Sequence, residues 1–153
     1  MNTAQTPEAI PQLFVENWNK RRPQEMLAAF EEDADFINVV GLWWQNKAAI
    51  LKAHDYGLRT IFQHSTLEII KQKTKLLSND IAVLHVKLKL TGQTALEGQA
   101  AGKRNALLTF AVRKKEDNFW WVVSAQNTDI VPGAETYINT GIAGLQAANY
   151  SKL

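Results

Sequence analysis

The side chains in this sequence that are best suited to acid–base chemistry are one histidine and a few carboxylates. His54 lies in the segment 47–63, where apolar residues recur every three or four positions. On a helix it would therefore share the apolar face. A neutral imidazole in such a setting can accept or donate a proton near pH 7. The position equally suits a core histidine that is hydrogen bonded to a neighbour and has no chemical role.

Two carboxylates could orient the His54 ring and raise its basicity, namely Asp35 and Asp129. Asp35 precedes a predicted strand, 36–40, and by alternation shares a face with Ile37 and Val39. It could equally be solvated there. These three residues, His54, Asp35 and Asp129, are the candidate catalytic groups.

A polar pair ends one face of the last predicted strand. By alternation, Asn127 and Asp129 follow three less polar residues on that face, Trp121, Val123 and Ala125. A polar pair at the end of an apolar face is best explained by something to bind. We therefore predict that Asn127 holds a ligand oxygen, although the alternative face, with Gln126 and Thr128, stays open.

Aromatic residues could form the wall of a binding site for a planar or cyclic ligand. The candidates are Trp43, Trp44 and Tyr56, for which a place in the core or in an interface is the alternative. Trp120 and Trp121 point to opposite faces of a strand, so one of them could anchor a dimer interface. His85 lies opposite the apolar face of its strand, so it either lines a cavity or is exposed.

Several kinds of chemistry are excluded or disfavoured. The sequence has no cysteine, which excludes thiolate nucleophiles and cysteine metal sites. The three histidines, at 54, 64 and 85, have no metal-ligand spacing, and phosphate-loop and G-x-S-x-G motifs are absent. We predict neither a bound metal nor a cofactor.

Composition limits the possible partners. A chain of 153 residues is one domain's worth, and its net charge of +2 comes from scattered basic residues. Nucleic-acid binding normally needs a concentrated basic face, so we expect none. No secretory signal and no apolar run of about 20 residues is visible, which favours a cytoplasmic protein without membrane contact.

The elements that must position these residues begin with helices and continue with strands. Helical signals start near Thr6-Pro7-Glu8 and restart at Pro23, and the acids of 31–33 would close that second helix. Asn46 caps the long helix 47–63. Period-two patterns then predict strands at 66–77, 81–90, 106–115 and 118–131, followed by a mildly helical tail at 134–149.

This order is typical of an α+β fold rather than a βαβ one. We predict N-terminal helices packed on a long, curved antiparallel or mixed sheet, which would leave a cone between sheet and helices. Such a cone is a common place for a small-molecule pocket. The prediction is a single domain over 1–153, with its core at about 7–131 and a tail at 132–153.

The sequence also resembles a known family. The run F-x-x-D-A-D-F-x-x-V-x-G at 30–41, then N-K-x-A-I at 46–50 and His54, resembles the SgcJ/EcaC-type branch of the nuclear-transport-factor-2-like superfamily, also called cystatin-like or SnoaL-like. The Q-N-T close of the last strand is similar too. The resemblance implies a pocket in the cone and a homodimer built partly on the open sheet face. It leaves activity open, because the superfamily includes isomerases, dehydratases, cyclases, epoxide hydrolases and non-catalytic modules.

One activity of that superfamily is disfavoured. A steroid-isomerase-like member needs a tyrosine on the first helix and an aspartate base at the end of the first strand. The corresponding positions here are Phe14 and Asn38, so both the phenol and the carboxylate are missing. Phe14 and Asn38 remain candidates for contact with a ligand.

The leading hypothesis is a homodimer whose cone binds a small, largely apolar molecule that carries a polar group. If the protein catalyses a reaction, we expect a cofactor-free isomerisation, dehydration or cyclisation. His54 would then act as acid or base, Asp35 or Asp129 would orient it, and Asn127 would hold a substrate oxygen. The alternative is a ligand-binding, dimerisation or assembly module without chemistry, in which His54 is a packed polar residue.

Overall fold

The architecture is α+β, as predicted. A computed structural model describes residues 1–152. The helices and strands of the main body are α1 (Ala9–Asn19), α2 (Pro23–Met26), β1 (Phe30–Ile37), β2 (Trp43–Trp44), α3 (Lys47–Arg59), β3 (Thr66–Leu76), β4 (Ile81–Thr91), β5 (Arg104–Lys114) and β6 (Trp120–Asp129). A hairpin of β7 (Thr136–Asn139) and β8 (Leu145–Ala148) and a 3₁₀ turn (Tyr150–Lys152) follow.

The main sheet has six strands in the order β2-β1-β6-β5-β4-β3. Strands β1 and β6 are parallel, and the other neighbours are antiparallel, so the sheet is mixed. Helices α1 and α3 cover one of its faces. In that layer the indole Nε1 of Trp18 on α1 donates to Ser65 Oγ, 3.0 Å away, beside the start of β3. This covered face is the concave side that holds the site described below.

The core lies between the helices and this face of the sheet. On β4 the predicted alternation is confirmed, because one face is fully buried (Ala82, Leu84, Val86 and Leu88). The buried residues of α1 include Ile10, Phe14 and Trp18, and those of α3 are Ile50 and Leu58. The predicted cap of α3 is also present, since the side chain of Asn46 accepts a hydrogen bond from the Ala49 N–H at 2.8 Å.

The first strand begins earlier than predicted, at Phe30, so the acids of 31–33 lie in a strand and do not close a helix. Glu31 is 4% exposed. Burial raises the pKa of its carboxyl, but the hydrogen bonds and charges of Arg113 and Lys115 outweigh burial and hold that pKa below its ordinary value. Glu31 is therefore retained by its ion pairs with Arg113 and Lys115.

The tail is a β-hairpin and not the predicted helix. Strands β7 and β8 pair antiparallel with each other, and the segment between them contains Gly141 and Gly144 at φ of 78° and 70°. A right-handed helix cannot include residues at positive φ. The two glycines lie in the turn that reverses the chain.

Within residues 1–152, no helix is long and apolar enough to cross a membrane.

Candidate functional site

A cavity of about 150 Å³ lies between α1, α3 and the concave face of the sheet. Its deep end is apolar, with Phe14, Phe36 and Leu108 almost fully buried. The polar side chains that line it are Asn38, His54, Arg104, Asn127 and Asp129. Arg104 and Asp129 are about one-third exposed, so they mark its mouth. The cavity is therefore mainly apolar, and its polar groups belong to these five side chains.

His54 is held in a defined orientation by the helix that carries it. Its Nδ1 lies 2.8 Å from the carbonyl oxygen of Ile50, one turn earlier on α3. A carbonyl oxygen only accepts, so the hydrogen of the neutral ring is on Nδ1. Nε2 therefore keeps its lone pair. This atom has no hydrogen-bond partner within residues 1–152, and His54 lines the cavity, so its lone pair is available to a ligand there.

The ring of His54 stands edge-on against aromatic neighbours. The closest is Phe36, with ring centroids 4.8 Å apart, and the others are Trp44, Phe14 and Trp18 at 5.7, 6.0 and 6.4 Å. Desolvation by these neighbours lowers the pKa of His54, and the hydrogen bond to the Ile50 carbonyl only partly opposes this. The imidazole is therefore neutral at pH 7.

This environment makes protein stability depend on pH. Because folding lowers the pKa of His54, the unfolded chain takes up the proton first, near pH 6.5. The stability from the neutral ring is present above that pH, and it falls as the pH drops toward the folded-state pKa. The slope per group is at most about 1.4 kcal/mol per pH unit. Urea unfolding of wild type should show that the free energy of unfolding decreases between pH 7.5 and 5. In His54→Phe this pH-dependent decrease should be smaller. His85→Gln, at an exposed site, is the matched control, and its free energy of unfolding should depend on pH as that of wild type does.

Asp35 does not reach His54. Ala34 and Phe36 point into the core, so Asp35 points to the other face of β1. There its Oδ1 accepts a hydrogen bond from Trp43 Nε1 at 2.7 Å. The expectation that Asp35 orients the imidazole is therefore wrong, since the backbone carbonyl of Ile50 does so.

Asn127 and Asp129 both line the cavity. Of their three predicted companions, Ala125 shares their inward face, but Trp121 and Val123 do not, because the register between β5 and β6 shifts between Ala111 and Val112. Val122 and Ala125 are both buried while Val123 is 36% exposed, so the strand changes parity there. The β-bulge thus separates Trp121 and Val123 from the polar pair.

The amide of Asn127 is unusual in having a buried atom without a partner. Its Oδ1 is the one buried side-chain nitrogen or oxygen of residues 1–152 that lacks a hydrogen bond. Such an atom costs roughly 1–3 kcal/mol when it stays unpaired. Because Oδ1 is enclosed, a ligand reaches it only when the amide turns about its terminal torsion, which is broad in asparagine.

Asp129 is paired with Arg104, a residue that the sequence did not single out. The guanidinium Nη2 lies 2.8 Å from Asp129 Oδ2 and 3.1 Å from Oδ1, and Nε lies 3.2 Å from Oδ2. Nη1 donates to Gln93 Oε1 at 3.1 Å. The predicted strand began at 106, two residues after Arg104, whereas β5 begins at Arg104 itself, which points to the same side as the inward residues Ala106 and Leu108. An even residue number, shared with Ala106 and Leu108, was the one feature of the sequence that could have placed Arg104 on the inward face.

The predicted aromatic wall is only partly present. Trp44 and Phe14 line the cavity, whereas Trp43 and Tyr56 are 58% and 66% exposed and lie outside it. Tyr56 follows His54 on α3 by two residues, which places it on another side of the helix. Trp43 is turned outward to Asp35 by strand alternation.

Two further candidates lie at opposite faces of the sheet. Asn38 lines the cavity, and its Oδ1 accepts from the Val40 and Leu42 N–H groups at 3.1 and 2.9 Å, which fixes the turn after β1. His85 is exposed on the outer face of β4, in a separate shallow groove, because the inward positions of that strand are its even-numbered residues.

No group of three or more histidine, aspartate or glutamate side chains in the described part of the chain, 1–152, is arranged to hold a metal ion.

Comparison with solved structures identifies the fold. An uncharacterised protein from Caulobacter vibrioides with a cystatin-like fold superposes with a TM-score of 0.75 at 25% identity, over 82% of this chain and 87% of that one. The chain has a cystatin-like, NTF2-like fold. No protein-family model and no curated protein matches the sequence.

Two further similar structures come from Novosphingobium aromaticivorans. One is an NTF2-like protein with a TM-score of 0.68 at 13% identity, covering 81% of this chain and 79% of that one. The other is provisionally named a scytalone dehydratase, with a TM-score of 0.66 at 14% identity and 81% coverage of both chains. At such identities the likeness shows the fold alone.

Proposed function

We propose that this protein binds a small, largely apolar molecule in the cavity and holds its polar group at Asn127. The observation that carries the proposal is the buried Asn127 Oδ1 that has no partner, beside a mainly apolar cavity. A ligand that pairs with this amide offsets the cost of leaving it unsatisfied. The resemblance of 30–41 and 46–50 to the SgcJ/EcaC-type branch supports the same proposal.

Binding can be tested by an NMR screen of uncharged single-ring compounds against ¹⁵N-labelled protein. Binders should shift the signals of Asn127, His54 and their neighbours in the cavity. Asn127→Leu keeps the approximate side-chain size and removes the amide nitrogen and oxygen, so it should weaken the polar binders and spare the hydrocarbons. A screen that shifts no cavity signal contradicts the proposal.

A second candidate function is proton transfer by His54, in a cofactor-free isomerisation, dehydration or cyclisation. It is favoured by the free Nε2 lone pair, on a neutral ring that the Ile50 carbonyl holds in place. Such a ring can act as a general base toward a bound molecule. Asp129, whose carboxylate is bound by Arg104, is not needed to orient it.

Incubation with single-ring hydroxyketones in D₂O tests this second function. Wild type should speed deuterium uptake beside the carbonyl, and His54→Gln should remove the acceleration, which can be followed by mass spectrometry. If binding occurs but exchange runs at the solvent rate with both proteins, the non-catalytic binding module is the correct function.

We also propose a homodimer built on the outer face of the sheet. That face has a shallow groove that includes Leu107, 42% exposed, and Val123 is exposed nearby at 36%. Trp121, held by hydrogen bonds to Asp117 and by the Lys115 ammonium 4.5 Å above its ring, could anchor the contact. Light scattering should give twice the chain mass for wild type, and Leu107→Lys should lower it. A monomeric wild type contradicts the homodimer.

A further inference from the structure

We propose that the molecule bound in the cavity is an uncharged single-ring compound that carries a hydroxyl group. This inference rests on the proposed binding function and narrows the ligand class. It follows from three properties of the lining: its volume, its charge, and the hydrogen-bonding groups that the protein leaves unused.

The volume limits the ligand to about one ring. A cavity of about 150 Å³ with apolar walls is the size that accommodates one benzene molecule. Aromatic side chains (Phe14, Trp18, Phe36, Trp44 and Phe62) supply much of the wall. Their rings offer edge and face contacts to a planar or cyclic guest.

The charge of the lining excludes an ionic ligand. The ionisable side chains that line the cavity are His54, Arg104 and Asp129. Arg104 and Asp129 form a bidentate pair, so their charges cancel. A carboxylate or an ammonium would therefore enter an apolar site without a counter-ion, which is strongly unfavourable.

The unused hydrogen-bonding groups select a hydroxyl. His54 Nε2 can only accept, because the ring hydrogen is on Nδ1, where it is donated to the Ile50 carbonyl. The Asn127 amide can donate or accept. A hydroxyl group donates one hydrogen and accepts at its oxygen, so its two hydrogen-bonding capacities match the two groups, which line the same cavity. An ether has no hydrogen to donate to His54 Nε2, and a hydrocarbon has neither a hydrogen to donate nor an oxygen to accept.

A matched ligand series tests the inference. Phenol, anisole, toluene, benzoate and benzylammonium share one ring and differ in the substituent. At pH 7.5, titrations followed by ¹⁵N spectra should show phenol binding at least about fivefold more tightly than toluene or anisole, the value of one hydrogen bond. Benzoate and benzylammonium should bind most weakly. In His54→Phe, phenol should lose its advantage, so that the ratio of its affinity to that of toluene falls to about one.

The outcomes separate the two proposals. If toluene and anisole bind as tightly as phenol, or either ion binds more tightly, the hydroxyl inference is overturned and the binding function stands. If no member of the series shifts a cavity signal, both are overturned. The wild-type series decides the question even if His54→Phe does not fold.

Discussion

Ala106→Phe is expected to abolish ligand binding. Ala106 lines the cavity from β5, and its side chain projects toward the same space as that of Leu108. A phenyl ring is about the guest that a cavity of 150 Å³ holds, so the new side chain would occupy the site itself. Affinity for any cavity ligand should fall by at least about 100-fold, which corresponds to about 2.8 kcal/mol. NMR titration of the variant with phenol measures the effect.

The adjacent residue offers a matched control. Leu107 lies on the outer face of the same strand and is 42% exposed, so Leu107→Phe places the same ring on the opposite side of the sheet. It should leave binding within about twofold of wild type, since nothing in the cavity changes. Equal loss of binding in both variants, or retained binding in Ala106→Phe, would contradict the location of the site.

Phe110→Ala is expected to lower the free energy of unfolding by about 3–5 kcal/mol. Phe110 is fully buried on β5, and its ring lies 6.0 Å from that of Phe14 and 6.4 Å from that of Phe30, measured between centroids. Truncation removes these contacts and leaves a void between α1 and the sheet. Urea unfolding followed by tryptophan fluorescence measures the loss.

Phe119→Ala is the comparison for this second prediction, because Phe119 lies beside the turn before β6 and is only partly buried. Its truncation should cost less than half as much. A loss below about 1 kcal/mol for Phe110→Ala would show that these rings do not form the core described here.

Much of the fold follows from local patterns in the sequence. The alternation on β4 reflects a strand with one buried face, and the Asn46 cap reflects the need of the first N–H groups of α3 for an acceptor. Both signals depend on neighbours in the chain. The hairpin at 136–148 was not predicted, because Gly141 and Gly144, which lie at positive φ, exclude the helix that was expected over 134–149.

The candidate site was harder to predict because it depends on register. Asn127 faces the cavity, but only the β-bulge in β6 separates it from Val123, and the alternation of a single strand does not reveal a bulge. Arg104 meets Asp129 only because β5 and β6 pair at that point. Such cross-strand contacts are invisible until the partner strand and its register are known.

Asp35 illustrates the same limit. Its parity was read correctly, since it lies with Ile37 on one face of β1. The face that packs against α3 is the one with Phe36. In a short strand flanked by polar residues, the sequence does not indicate which of the two faces is buried. The sequence identified His54 but not the group that orients it, because a backbone carbonyl leaves no mark in the residue pattern.

The most direct test of the central claim is a ¹⁵N NMR spectrum of the His54 imidazole with and without phenol at pH 7.5. The structure predicts a neutral ring that is protonated at Nδ1, and an Nε2 resonance that shifts when the phenol hydroxyl donates to it. Asn127 side-chain signals should shift in the same titration. A His54 ring that is cationic at this pH, or that stays unchanged while phenol binds elsewhere, would contradict the account.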